Sequence, residues 1–282
     1  MKTYLECIPC FVNQAFKTAN IATNDPDKVK AVLDSVGDMI KSIPMENTPP
    51  ETGNHIYQKI REITSNHDPY KEIKKAHIQE AKYLYPKLKN LIKESSDQLL
   101  TAIRIAIAGN VIDMGVDKDF NIINDIQKIL KQDFAIFDYE AFKDQCNKAK
   151  SVLYIGDNAG ESVFDCLLIE EMSKPTVFVV RDIPVLNDCI IDDAIDSGLG
   201  EVSEIISSGS TAPATILNLC NDDFLNRFNS ADFIISKGQG NYEGLSKVDQ
   251  KVFFLLKAKC KVIANDLNVK EDAIVLKGIN LN

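Results

Sequence analysis

The chain has 282 residues, enough for one large domain or two modest ones, and its 45% apolar and 26% charged residues argue against a disordered protein. A formal charge of −9 with no clustered basic face argues against a nucleic-acid or anionic-membrane surface. No apolar run nears the roughly 20 residues of a membrane span, and the start, Met1-Lys2-Thr3-Tyr4-Leu5-Glu6-Cys7, lacks a signal-peptide core, so a cytoplasmic protein is expected.

Cys7-Ile8-Pro9-Cys10 opens the first helical region. The other cysteines (Cys146, Cys166, Cys189, Cys220, Cys260) are scattered through periodic or apolar segments, which suits reduced, mostly buried thiols rather than a disulfide frame. No second Cys-x-x-Cys exists, and His55, His67 and His77 are not spaced as its complement, so a structural zinc site lacks its other half. A redox motif of the thioredoxin kind would follow a strand. A structural role for the pair at the start of the first helix is therefore expected.

The first hundred residues read as helices. Asp25-Pro26 reads as an N-cap with proline at N1, and Val29, Val32, Leu33, Val36 and Ile40 follow at helical spacing. Pro49-Pro50 marks a break, Ile56, Ile60 and Ile63 begin another helix, and a long one runs after Pro69 through Ile73, Ile78, Leu84, Leu88 and Ile92. Residues 101–150 read as a helical connection, in which an apolar helix stops at Gly109 and offers Asn110 and Asp113; capping explains these two as simply as function does.

After about residue 150 short apolar runs alternate with helical segments. Strands are expected at Val152 to Ile155, Thr176 to Val180, Val202 to Ile206, Phe233 to Ser236 and Val252 to Leu256. Their continuous apolarity predicts a mostly parallel, Rossmann-like sheet covered on both faces, so the reading is an α/β protein with an all-α region at 1–100 and an α/β region at 101–282.

Ligands of such sheets bind beyond the carboxyl ends of the strands. Those ends carry, in turn, Gly156-Asp157-Asn158-Ala159-Gly160-Glu161, Arg181 through Asn187-Asp188, Ser207-Ser208-Gly209, and Lys237-Gly238-Gln239-Gly240-Asn241. Each piece alone is an ordinary cap or turn. Together they supply oxygen ligands for a hard cation, amides for an anion and a fixed positive charge, the inventory of phosphate chemistry. No Gly-x-Ser-x-Gly elbow, no Gly-x-Gly-x-x-Gly after a strand and no Walker-type loop occurs.

These motifs, with Cys7-x-x-Cys10 and Gly109-Asn110-x-x-Asp113, follow the order seen in the metal-dependent damage-control phosphatases, which the chain resembles over nearly its whole length. It resembles in particular the stand-alone archaeal and bacterial branch that carries the cysteine pair. The resemblance implies one divalent ion (Mg²⁺, Mn²⁺, Co²⁺ or Ni²⁺) held by Asp157, Asn158 and Asp188, and hydrolysis of sugar phosphates or damaged phosphometabolites by metal-assisted attack of water. It places Lys237 against the phosphate, with Asp157, Asn158, Asp188 and Lys237 as the catalytic set. Asn110, Asp113, Glu161 and Asn241 would line the cleft. Amides near Ser208 and Gly209 would face the phosphoryl oxygens, while Arg181 contacts substrate or pairs with Asp182 or another carboxylate. The partner is then a small phosphorylated metabolite, whose alcohol is expected to be selected by the helical half. Two other classes stay open: S-adenosylmethionine-dependent methylation of a protein carboxylate, and a non-catalytic metabolite-binding module in which Asp157 and Asp188 only cap helices.

Overall fold

A computed structural model of the chain describes residues 1–109 and 122–281. Its strands are β1 (Phe134–Phe137), β2 (Val152–Ile155), β3 (Thr176–Val180), β4 (Glu204–Ser207), β5 (Ile234–Lys237), β6 (Val252–Lys257) and β7 (Ile274–Ile279). They form one sheet in the order β1-β7-β6-β5-β2-β3-β4, parallel except where β6 meets β7. Strands β2 and β3 fall where their apolar runs predict. β4 starts two residues later than expected, because Val202 closes a short helical turn by donating its N–H to Leu199. β5 runs one residue further, which makes Lys237 its last residue. β1 and β7 were not expected: β1 is only half-buried, and Lys277 and Gly278 interrupt the apolar run of β7.

Both faces of the sheet are covered, which is why the central strand β2 is apolar and buried at every position. Val152, Tyr154, Phe178, Val180 and Ile235 pack beneath α4 (Lys71–Glu94), α5 (Gln98–Ala108), α7 (Tyr139–Lys148) and α8 (Ser162–Met172), with α6 (Ile122–Lys131) at the edge of the same core. Their strand neighbours Leu153, Ile155, Val179 and Ile234 point the other way, onto α10 (Asp222–Ser230), α11 (Gly238–Leu245) and α12 (Lys261–Leu267). The period-2 alternation of a strand thus divides one apolar run between two cores.

The N-terminal helices α1 (Cys7–Ala22), α2 (Pro26–Ile40) and α3 (Pro49–Thr64) enclose a third core of Phe11, Ala15, Val32, Val36, Ile56 and Ile60. Asp25 caps α2 as expected, accepting from the N–H groups of Asp27 and Lys28. Pro49-Pro50 opens α3 rather than breaking the chain: Thr48 and Glu51 form a reciprocal capping box, and proline in the first turn removes only N–H groups that have no helical partner. Cys7 faces this third core and Cys10 is exposed, and all seven cysteines are free thiols. No described helix is long and apolar enough to cross a membrane.

The third core also takes in Val185, with Ile183 and Leu186 packed against it, from the loop between β3 and α9 (Ile191–Ser197). The helical bundle therefore braces the segment that carries Asp188. From β2 the chain steps outward to β3 and β4, then returns to the other side of β2 as β5, so the crevice where strand order reverses lies between the loops after β2 and β5.

Candidate active site

Asp157 sits at that reversal point. A Cβ at Gly156 would strike the ring of Phe178, and one at Gly238 would overlap the Asp157 carboxylate itself. Gly238 also has φ +80°, a conformation other residues adopt only with strain, so glycine is required there both to turn from β5 into α11 and to admit the acid.

Asp188 reaches the same place through the backbone. Asn158 and Asp188 form an antiparallel bridge, Ala159 N–H donates to Asn187 O at 2.9 Å, and Cys189 N–H donates to Asp157 O at 2.8 Å. Leu186, at φ +50°, and a turn in which Asp188 N–H donates to Val185 O at 3.0 Å aim the loop back toward β2. Asp157-Asn158 and Asp188, about 30 residues apart in the chain, are thus joined by main-chain hydrogen bonds.

Arg181, buried at the end of β3, holds this arrangement from below. Its Nε donates to Asp188 Oδ2 at 2.7 Å, its other nitrogens donate to Thr215 Oγ1 at 2.9 Å and Asn241 Oδ1 at 3.0 Å, and it lies 3.7 Å from Asp157 Oδ1. Asp182 is not its partner; that carboxylate accepts from Ser207 Oγ. Asn241 is buried as a clamp rather than along a cleft: its Nδ2 donates to Gly156 O and Lys237 O, and its Oδ1 also accepts from Thr215 N–H.

Lys237 is fully buried. Its three ammonium protons have acceptors in Glu161 Oε1, Asp165 Oδ1 at 2.6 Å and Ala106 O at 2.9 Å, so in this arrangement it holds Glu161 in place instead of reaching out to an anion. Glu161 in turn lies 3.4 Å from the Asn158 amide nitrogen, which is also 3.4 Å from Asp157 Oδ2. The amides of Ser208 and Gly209, expected to face phosphoryl oxygens, donate instead to Val180 O, which extends the pairing of β4 with β3, and to Ser207 Oγ within the turn. Ser208 Oγ, likewise buried, donates to Val180 O. Asn110 and Asp113 lie outside the described residues.

The electrostatics are those of crowded acids. Burial, then the charges of Asp188 and Glu161, push the Asp157 carboxyl well above its ordinary value, against the pull of Arg181 and Lys259. Burial also raises Asp165, to about 6, although Lys237 draws it down. Burial works against the charge on Lys237, but Asp165 and Glu161 outweigh it and hold the ammonium above its usual range. Around one crevice, three buried carboxylates (Glu161, Asp165, Asp188) and the partly exposed Asp157 face two buried cations (Arg181, Lys237).

That excess of negative charge, with a donor set of two carboxylates and an amide, suits a hard divalent cation. Asp157, Asn158 and Asp188 are the side chains that could hold it. Among the described residues no group of three acidic, histidine or cysteine side chains forms a ready-made cage.

Asp165 escaped the sequence reading, yet it completes the Glu161–Lys237 pair and accepts from Tyr154 Oη at 2.7 Å. Its signal was an acid one helical turn after Glu161 inside the apolar run Ser162–Met172. Thr215 carried no local signal at all.

Comparison with known proteins gives the family and the fold. The sequence profile of the damage-control phosphatase ARMT1-like domain matches residues 3–275. A damage-control phosphatase of Pyrococcus horikoshii is 33% identical, with 98% of this chain and 97% of the relative aligned. A damage-control phosphatase of Archaeoglobus fulgidus is 29% identical over 98% of this chain and 99% of its own. The crystal structure of a DUF89 family protein from P. horikoshii superposes with a TM-score of 0.87 at 31% identity, covering 98% of both chains.

Proposed function

This chain belongs to the damage-control phosphatase family of ARMT1-like domains, a membership that supports a phosphatase function, and from that premise we propose that it is a metal-dependent phosphomonoesterase acting on small phosphorylated metabolites. The observation that carries the reading is the convergence of Asp157, Asn158 and Asp188 at the point where strand order reverses. A divalent ion bound there would supply charge neutralisation for a phosphoryl group and lower the pKa of a water molecule.

The chain's own residues supply positioning. Arg181 keeps the Asp188 carboxylate turned toward Asp157 and offsets part of the repulsion between them. Lys237, anchored by Asp165, fixes Glu161 beside Asn158, where a carboxylate can accept a proton from an attacking water or orient the amide. The first N–H groups of α11, which have no carbonyl partner within that helix, open beside Asp157 and suit phosphoryl oxygens. Phosphoryl transfer depends mainly on such placement and charge, not on an activated serine or cysteine.

The test is metal analysis after chelation and reconstitution, paired with hydrolysis of a phosphomonoester panel under Mg²⁺, Mn²⁺, Co²⁺ and Ni²⁺. The proposal expects one bound divalent ion per chain and activity that depends on it. Absence of stoichiometric metal, or methyl transfer from labelled S-adenosylmethionine with no phosphate release, would overturn it.

A further inference from the structure

Residues 210–216, between the turn after β4 and α10, form neither helix nor strand, yet Ser210, Ala212, Ala214 and Thr215 are wholly buried. Irregular chain is seldom buried, because its main-chain polar groups must then find partners one by one. Here they do. Ser210 O accepts from Asp182 N–H at 3.1 Å, Ser210 Oγ donates to Ala214 O at 2.6 Å, and Thr215 N–H donates to Asn241 Oδ1 at 2.8 Å. On the side of α11, a Cβ at Gly240 would stand 2.7 Å from Pro213 O and one at Gly244 would stand 2.6 Å from Thr215 O, so two glycines one helical turn apart give the segment its seat. On the side of α3, Pro213 packs over Gly53, and Thr211 Oγ1 donates to Asn54 Oδ1.

This seat delivers one hydroxyl. Thr215 Oγ1 accepts from Arg181 at 2.9 Å, while Asn241 Oδ1, which already accepts from Thr215 N–H, accepts from another nitrogen of the same guanidinium at 3.0 Å. Arg181, Thr215 and Asn241 thus close a hydrogen-bonded ring. A guanidinium is a rigid planar fork, so fixing two of its nitrogens fixes where the third points. That third nitrogen is the Nε that meets Asp188 Oδ2 at 2.7 Å.

We propose that Thr215 is a positioning residue for the metal site: held in its seat on α11, it orients Arg181, and through Arg181 it sets the direction of the Asp188 carboxylate and hence the affinity for a divalent ion. This rests on the metal reading above and extends it to a residue two hydrogen bonds away from a proposed ligand. Groups that hold a ligand from behind typically carry roughly 10–100-fold of metal affinity.

Mn²⁺ titration of the metal-free protein compares wild type with Thr215→Val, which keeps the shape and loses the hydroxyl, with Thr215→Ser, which keeps the hydroxyl, and with Gly244→Ala, which keeps Thr215 but crowds its carbonyl. Thr215→Val is expected to bind Mn²⁺ about tenfold more weakly and Thr215→Ser to bind it like the parent. Gly244→Ala should also bind more weakly, although alanine is the better helix residue. Parental affinity in Thr215→Val overturns the inference even where that variant melts lower, since a threonine that only packs costs stability and not affinity. An equal loss in Thr215→Val and Thr215→Ser overturns it as well. If Thr215→Val does not fold, parental affinity in Gly244→Ala overturns it instead. A wild type that binds no Mn²⁺ sinks the metal reading and this inference together, whereas Mn²⁺ bound alike by all four proteins sinks this inference alone.

Discussion

Arg181 donates its Nε to Asp188 Oδ2 at 2.7 Å, and the rest of the same guanidinium is divided between Thr215 and Asn241, so one side chain ties the ends of β3 and β5 to an acid of the site. A lysine offers a point charge and cannot match this fork. Arg181→Lys should lower unfolding stability by about 3 kcal/mol, since it leaves a buried carboxylate and two buried acceptors poorly served. Denaturant titration of the metal-free protein checks this; a loss under about 1 kcal/mol would mean the fork is not the brace described.

Asp157 is crowded by Asp188 and Glu161, so its charge is a burden on the metal-free fold. Asp157→Asn removes that repulsion and also exchanges a proposed anionic ligand for a neutral amide. The metal-free variant should melt no lower than the parent, while its affinity for Mn²⁺ falls beyond the roughly 10–100-fold typical of losing an outer support. Scanning calorimetry and metal titration on one preparation read both effects.

Gly238 admits the Asp157 carboxylate and adopts φ +80°. Gly238→Ala should cost about 1–2 kcal/mol for the backbone alone, and should displace Asp157. Metal titration then separates the two consequences: retention of full affinity would show that Asp157 can be accommodated elsewhere.

Asp165 accepts from both Lys237 and Tyr154 in full burial. Asp165→Ala should destabilise by about 3–5 kcal/mol, as removal of one partner from a buried ion pair does. Asp165→Asn, which keeps an acceptor for Tyr154 and Lys237, should lose clearly less. Equal losses in urea unfolding would argue for packing rather than charge.

Glu243, on α11, is raised from 4.5 to about 7, chiefly by burial, against the pull of Gln239 and the N-terminal ammonium. The folded protein holds this proton to higher pH than the unfolded chain does. Its contribution is therefore full below about pH 4.5 and is lost as pH rises through about 7, on the order of 3 kcal/mol. Glu243→Gln should flatten the decline in stability across that window relative to the parent, measured by unfolding at a series of pH values.

Much of the fold was legible because its signals are local. The proline-led helix start at Asp25 and the apolar runs of β2 and β3 announce themselves within a few residues, whereas Pro49-Pro50, read as a break, opens α3 through the Thr48–Glu51 capping box. β1 and β7 were not legible: a short half-exposed strand and one broken by Lys277-Gly278 draw their stability from neighbours, not from pattern.

The amino-acid sequence by itself placed Asp157 and Asn158 just beyond β2 and Asp188 in the loop beyond β3, because strand and turn preferences act over neighbouring residues. Only the tertiary structure decided what each polar group is committed to. Lys237 is filled by Ala106, Glu161 and Asp165, Asn241 by Gly156, Arg181 and Thr215, and the amides of Ser208 and Gly209 by Val180 O and Ser207 Oγ. A buried donor must find an acceptor wherever the chain brings one, and those acceptors come from segments far away in the sequence.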